Sequence, residues 1–266
     1  MKFNPLSLFV RCISGVVVLA IFSLADAQEG QKSPELSAEQ IKTNSSYALG
    51  LRTGSDFAKQ FGRFGVEIDD LDFEAFHKGF RLAYEEKELP SSMTEKDLQD
   101  GMEAFGKLVQ QREEKIAKQN KAAGVVFLEE NGKRKGVATT ESGLQYEVIE
   151  KGGDKKYEAP KDPQSPQKIF QVHYKGTLID GTEFDASPEG EAVPMTLQVV
   201  PGFREALTSM PVGAKWKLFL SPDLAYGEQR ASSKIAPNST LIFDLKLEAI
   251  EDAPQPQGLP FQLPGQ

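Results

Sequence analysis

No proline interrupts the chain between Thr94 and Glu130, and from Val137 onward its hydrophobic period changes from helical to alternating. These two facts limit the fold more than any others. A helix over residues 94–130 runs about 55 Å at 1.5 Å per residue, too long to lie inside one small core. Thr94 with Asp97 opens it as a capping box, and Asn131-Gly132 closes it. Its first half carries Leu98, Met102, Phe105, Leu108 and Val109, but residues 110–121 are nearly all polar. A helix polar all round is solvent-bridging or laced with i,i+4 pairs, and Glu114 and Lys118 are spaced for one.

Two shorter helices precede it. Ser37-Ala38-Glu39-Gln40 is a capping box, and Tyr47, Leu51, Ser55, Ala58 and Phe61 share one face of the helix that follows. Gly62 and Gly65 end that helix. Asp69-Asp70 cap a second one, which runs to about Glu86 with Phe73, Phe76, His77, Phe80 and Tyr84 at helical spacing. Pro90-Ser91-Ser92 breaks the chain before the long helix. Three helices are too few to bury these aromatics, so the stripes call for a partner, and a homodimer through residues 37–110 is expected. A monomeric helical hairpin whose phenylalanines pack on one another is the alternative.

The β half begins with Gly143-Leu144-Gln145-Tyr146-Glu147-Val148-Ile149, which alternates as a half-buried strand does. Residues 151–168 read as a loop. Residues 169–174, 216–220 and 241–247 are further strands, and Asp180-Gly181 signals a hairpin. Residues 201–207 are the one helical candidate. The class is therefore α+β: an N-terminal all-helical module, a long connecting helix, then an antiparallel sheet wrapped on one short helix. After Glu251 the chain is Pro, Gln and Gly, which cannot form a core and reads as a disordered tail.

The first 27 residues form an address. Lys2 and Arg11 precede the uncharged, mostly apolar run of residues 13–24, and Ala25-Asp26-Ala27 follows with small residues where a signal peptidase reads. Cleavage after Ala27 removes the only cysteine, Cys12, and leaves no membrane span; an uncleaved anchor is the rival reading. A cysteine-free chain suits an oxidising compartment. The expected location is the periplasm, with the outer membrane surface or the medium as alternatives. The balance of 39 acidic against 31 basic residues argues against nucleic acid as a partner. One cysteine and two histidines, His77 and His173, are too few for a zinc site of the usual kind.

Residues 172–178 (Val-His-Tyr-Lys-Gly-Thr-Leu), 180–187 (Asp-Gly-Thr-Glu-Phe-Asp-Ala-Ser), 221–227 (Ser-Pro-Asp-Leu-Ala-Tyr-Gly) and 238–244 (Asn-Ser-Thr-Leu-Ile-Phe-Asp) follow one another in a recognisable order. Together they resemble the FKBP-type peptidyl-prolyl isomerases, over about residues 140–250. The leading helices and Ser142-Gly143-Leu144-Gln145-Tyr146 are similar to the macrophage infectivity potentiator (Mip) subgroup. That likeness implies exported dimers in which a long helix carries each catalytic domain away from an N-terminal dimerisation module. The implied domains are a signal peptide at 1–27, a helical module with its linker helix at 28–136, an isomerase domain at 137–251 and the tail at 252–266.

The resemblance also implies a proline pocket. Tyr174, Asp185 and Tyr226 match its catalytic positions; Phe184, Val199, Val200, Phe203 and Phe243 match its lining, and Ile235 its rim. Its substrates are proline-containing unfolded or partly folded polypeptides, it takes macrolides of the tacrolimus type, and it uses no cofactor or metal. Read alone, a phenylalanine or valine on a strand is usually just core, Asp185 could be a turn residue and Tyr226 a surface tyrosine; their joint match is what lifts them. His173 and Trp216 receive no catalytic part. Four features depart from the family: Phe203 where Trp is usual, Lys234 at an often apolar rim position, a shorter segment at 194–201, and an insertion at 160–166. They imply looser proline contact and weaker inhibitor binding. A dimeric holdase with a vestigial pocket, cradling unfolded clients between helical arms, is the alternative function.

Overall fold

The computed structural model describes residues 36–160, 162 and 166–253. The expected signal segment, the tail from residue 254 and part of the 160–166 insertion lie outside the described residues. The chain divides into two units, residues 1–49 and 50–266. The first contributes the start of helix α1 (Ala38–Gly62). There the Gln40 amide donates to Ser37 Oγ at 3.2 Å while the Ser37 amide donates to Gln40 Oε1 at 2.9 Å, so two orphan donors are satisfied reciprocally.

In the second unit, α1 ends at Gly62 and the chain turns through Gly65, whose φ of 82° favours glycine. Asp69 and Asp70 do not cap the next helix. They lie in a short 3-10 turn at Ile68–Asp70, and the cap of α2 (Phe73–Tyr84) is Asp72, whose Oδ1 accepts from the amides of Glu74 and Ala75. With three acidic residues in four, spacing alone could not choose the cap. Asp70 instead takes a bidentate pair from Arg112 of α3 (Glu95–Asn131), with both N–O distances 2.7 Å, and Arg112 also donates to the Gly65 carbonyl. The Arg112 hydrogen bonds hold the Asp70 carboxyl below its ordinary value. This tie is therefore intact above pH 3.8 and is lost as pH falls through the lowered value. The aromatic stripes are shared out. Phe76 meets Phe57 edge-on at 5.4 Å and Phe57 stacks on Phe61, but Phe73, Phe80 and Tyr84 stay exposed.

Helix α3 has the expected Thr94–Asp97 capping box. Its cap residue at the far end, Gly132, keeps right-handed backbone (φ −64°), not the left-handed form glycine often supplies there. Glu114 does not pair with Lys118; it accepts from Gln110 Nε2 at 3.1 Å. The polar middle is exposed on one face but not on the other. Glu113 pairs with Arg230, Asn120 donates to the Pro237 carbonyl, and the Ala117 carbonyl accepts from Asn238 Nδ2. A Cβ added at Gly124 would sit 2.4 Å from Thr240 Oγ1, so the helix backbone lies directly on that chain. Glu113, the Ala117 carbonyl and Asn120 thus form an interface to chain more than 110 positions away.

The sheet comprises β1 (Val137–Thr139), β2 (Gln145–Glu150), β3 (Lys168–Leu178), β4 (Glu183–Ala186), β5 (Val193–Met195), β6 (Lys215–Leu220) and β7 (Leu241–Asp252). It runs β1-β2-β6-β7-β3-β4, antiparallel throughout, with β5 also pairing β3. The first strand of the β half thus precedes the expected one, and Gly143 is a turn residue with φ 89°. Alternation then sets the faces. Leu218 and Leu220 of β6 and Leu241, Phe243, Leu245 and Leu247 of β7 face α4 (Pro201–Ser209), which buries Phe203, Ala206 and Leu207 against them. Each large side chain buried there contributes about 1.5–3 kcal/mol. Gln145 and Phe219 face the other way, where α3 covers them: Gln145 bonds Asn131 and the Leu128 carbonyl, and Phe219 lies 6.0 Å from Phe127. The sheet therefore has helix on both faces. No helix among the described residues is long and apolar enough to cross a membrane.

Candidate active site

At one end of the α4-facing side of the sheet, four aromatic rings form a connected set. Phe203 from α4 meets Phe243 of β7 at 5.1 Å and 80°, and Phe243 meets Phe184 of β4 at 5.5 Å and 86°. Tyr174 of β3 presents its ring edge-to-face to Phe203 at 6.3 Å and 88°. These are the geometries that the aromatic quadrupole favours. Phe203 and Phe243 are buried; Phe184 and Tyr174 are partly open. Val199 and Val200 pack against the same core, and Ile235 belongs to it.

Polar groups edge this apolar surface. The Tyr174 hydroxyl donates to Asp185 Oδ2 at 2.6 Å, and the Asp185 Oδ1 accepts from the Ala186 amide. Burial, then the bond to Asp185 and its charge, push the Tyr174 phenol well above its ordinary value. It remains an O–H donor far beyond neutral pH, so Asp185 keeps its partner. Tyr226, just after the 3-10 turn at Pro222–Leu224, is half-exposed and close enough to Tyr174 to add to that shift. Thus the structure joins Tyr174, Asp185, Phe184, Phe203 and Phe243 through direct ring or hydrogen-bond contacts. It places Val199, Val200 and Ile235 on the same core, and Tyr226 and Asp185 are its exposed members.

The carboxyl-terminal family model, "FKBP-type peptidyl-prolyl cis-trans isomerase", matches residues 160–248. A second, "Domain amino terminal to FKBP-type peptidyl-prolyl isomerase", matches residues 42–148. The FKBP-type peptidyl-prolyl cis-trans isomerase FkpA of Aeromonas hydrophila is 37% identical over 238 residues, covering 85% of this chain and 83% of that protein. The chain belongs to the FKBP-type peptidyl-prolyl isomerases. This FKBP-type chain is also 35% identical over 245 residues to the outer membrane protein MIP of Legionella longbeachae, covering 90% and 98% of the two chains. Among solved structures, FkpA from Escherichia coli superposes with a TM-score of 0.54 at 36% identity, covering 82% of this chain and 99% of that one.

Three residues of this FKBP-type site carried no role in the sequence reading. Gly176 sits opposite Phe243 on one side and Asp185 on the other. A Cβ there would lie 2.4 Å from the Phe184 ring and 3.0 Å from the Phe243 ring, so only glycine leaves both rings their places. Ser187 clamps β3 beside the site: its Oγ accepts from the Tyr174 amide and its amide donates to the Tyr174 carbonyl. Lys234, noted above only as a departure at an often apolar rim position, donates to the Glu183 carbonyl at 2.8 Å and ties the rim loop to β4. The Gly-Thr and Asp-Ala-Ser positions were visible as motif letters, but their contacts are long-range. His173 and Trp216 lie away from the rings: His173 Nε2 is 2.5 Å from Glu248 Oε2, and Trp216 stacks on Tyr146.

Proposed function

We propose that this isomerase is exported and that it speeds X–Pro rotation in folding polypeptides within the pocket walled by Phe184, Phe203 and Phe243. The observation that carries this reading is the connected aromatic set with the Tyr174–Asp185 hydrogen bond at its edge. Amide resonance sets a rotation barrier of about 18–20 kcal/mol. The twisted transition state has lost that resonance and is less dipolar than the planar amide. An apolar cage that holds the proline ring and removes water therefore favours the twisted form. Tyr226 donates its hydroxyl to the substrate carbonyl, Asp185 biases the rotating carbonyl electrostatically, and Val199, Val200 and Ile235 complete the lining. Lowering the barrier by about 4 kcal/mol accelerates rotation roughly a thousandfold. The chemistry is selective binding of the twisted form.

Isomerisation of a proline tetrapeptide by the full chain tests the assignment. Asp185→Ala is expected to lower kcat/KM about 10- to 100-fold, as loss of a charge-assisted hydrogen bond does, and Tyr226→Phe by several-fold. Wild-type rates in both would sink the residue roles. A wild-type chain inactive on every proline peptide, yet suppressing client aggregation, would favour the holdase reading.

We also propose the four-part division at 1–27, 28–136, 137–251 and 252–266, with residues 37–110 making a homodimer. Phe73, Phe80 and Tyr84 on α2 support the dimer, since Tyr84 is 82% exposed and Phe80 56% in the single chain. Sedimentation at micromolar concentration is expected to give twice the chain mass; one chain's mass would defeat the dimer. Clients are proline-containing unfolded segments, with tacrolimus-type macrolides as competing ligands weakened by Phe203 in place of Trp. The segment of residues 1–27 supports export to the periplasm.

A further inference from the structure

The loop that carries Ile235 is held from outside the isomerase fold. Arg230 Nε and its second terminal nitrogen each lie 2.7 Å from the two carboxylate oxygens of Glu113, midway along α3. The guanidinium side chain is only 6% exposed and the carboxylate 16%. The same guanidinium donates through its remaining nitrogen to the carbonyls of Ser232 and Ser233. Within that turn the Ile235 amide donates to Ser232 Oγ, and the Ala231 amide to the Ile235 carbonyl. One planar group therefore links the helix to the carbonyls of a turn whose last member is Ile235. The next residue back, Lys234, reaches the Glu183 carbonyl beside Phe184.

We propose that Glu113 is a positioning residue of the isomerase site: through Arg230 it fixes the rim loop and thereby the proline affinity of the pocket. A buried guanidinium that loses its carboxylate is an uncompensated charge and must move toward water. Arg230 cannot move without releasing the two carbonyls it holds, so the turn and Ile235 move with it. Glu113 lies in the stretch matched by the amino-terminal domain model, so the helical module takes part in the chemistry of a pocket it does not line. Arg112, its neighbour, binds Asp70 and the Gly65 carbonyl, so adjacent residues of α3 tie the rim loop and the α1–α2 turn to one point of the helix. The inference rests on the assignment of Ile235 to the pocket rim made above.

The test measures KM and kcat separately for a proline tetrapeptide, with the full chain and its melting temperature as the check on folding. Glu113→Gln keeps the side-chain volume and is expected to raise KM about five- to tenfold with kcat within about twofold. The exchanged pair Glu113→Arg with Arg230→Glu is expected to recover KM to within about twofold of wild type. A purely structural tie would lower the melting temperature and leave the KM of the folded enzyme alone. An unchanged KM in Glu113→Gln overturns the proposal, as does an exchanged pair that folds yet shows no recovery. Asp185→Ala, run alongside, separates the two failures. If it lowers kcat/KM about 10- to 100-fold while Glu113→Gln does nothing, the positioning role is wrong and the pocket stands; if Asp185→Ala is also silent, the pocket assignment itself fails.

Discussion

Gly176→Ala is expected to lower kcat/KM on a proline peptide by more than about tenfold, with about 1–3 kcal/mol of stability lost, as for other overpacked sites. Strand β3 is paired on both sides there, with β7 and β4, so its backbone cannot retreat. The added methyl group would lie 2.4 and 2.5 Å from two atoms of the Phe184 ring and 3.0 Å from Phe243. Phe184, on the short outer strand and partly exposed, is the ring that yields. Its displacement opens the edge-to-face contact with Phe243 and widens the wall against which the proline ring would rest. Phe184→Leu in the Gly176→Ala background relieves the overlap and is expected to recover melting temperature but not activity. Recovery of both, or full activity in Gly176→Ala alone, would show that this wall takes no part in catalysis.

The helices and the sheet class were legible because their signals are local. Ser37 with Gln40 and Thr94 with Asp97 are separated by three residues, and both boxes close as their spacing implies. The segments 216–220 and 241–247 read as strands, and in β6 and β7 one face of each is buried against α4. What stayed hidden was either short or distant. Strands β4 and β5, of four and three residues, lack the length to establish a period, and Pro194 in β5 argues against a strand. The polar middle of α3 resembled a solvated rod because Glu113, Ala117 and Asn120 have their partners in residues 230–238. No periodicity encodes such pairs. The same limit applied at the candidate site. Motif order placed Tyr174, Phe184, Asp185 and Phe243 in one region and the resemblance added Phe203, but the need for glycine at 176 appears only when the rings have positions.

Phe243 and Leu245 offer a way to separate the pocket from the core that supports it. Both lie on the face of β7 turned toward α4, two residues apart, and both are buried. Phe243→Ala is expected to cost about 3–5 kcal/mol and Leu245→Ala about 2–5 kcal/mol, since each leaves a cavity in a packed interior. Against a typical total of about 5–15 kcal/mol, either change brings the domain near its unfolding threshold. Stability alone therefore cannot distinguish them. Activity can, because Phe243 stacks edge-on with both Phe184 and Phe203, whereas Leu245 carries no ring and lies opposite Tyr174 on β3. Measured well below the midpoint of thermal unfolding and scaled to the folded fraction, Leu245→Ala is expected to keep kcat/KM within about threefold of wild type. Phe243→Ala removes the ring shared by both pocket contacts and admits water where an apolar surface favours the less dipolar twisted amide. Its kcat/KM is expected to fall about a hundredfold, equivalent to roughly 2.7 kcal/mol of transition-state stabilisation. Equal losses in the two variants would mean that rate follows the integrity of the sheet and not the aromatic surface. Catalysis would then have to be sought at the half-exposed Tyr226 and at the polar contacts of the rim loop.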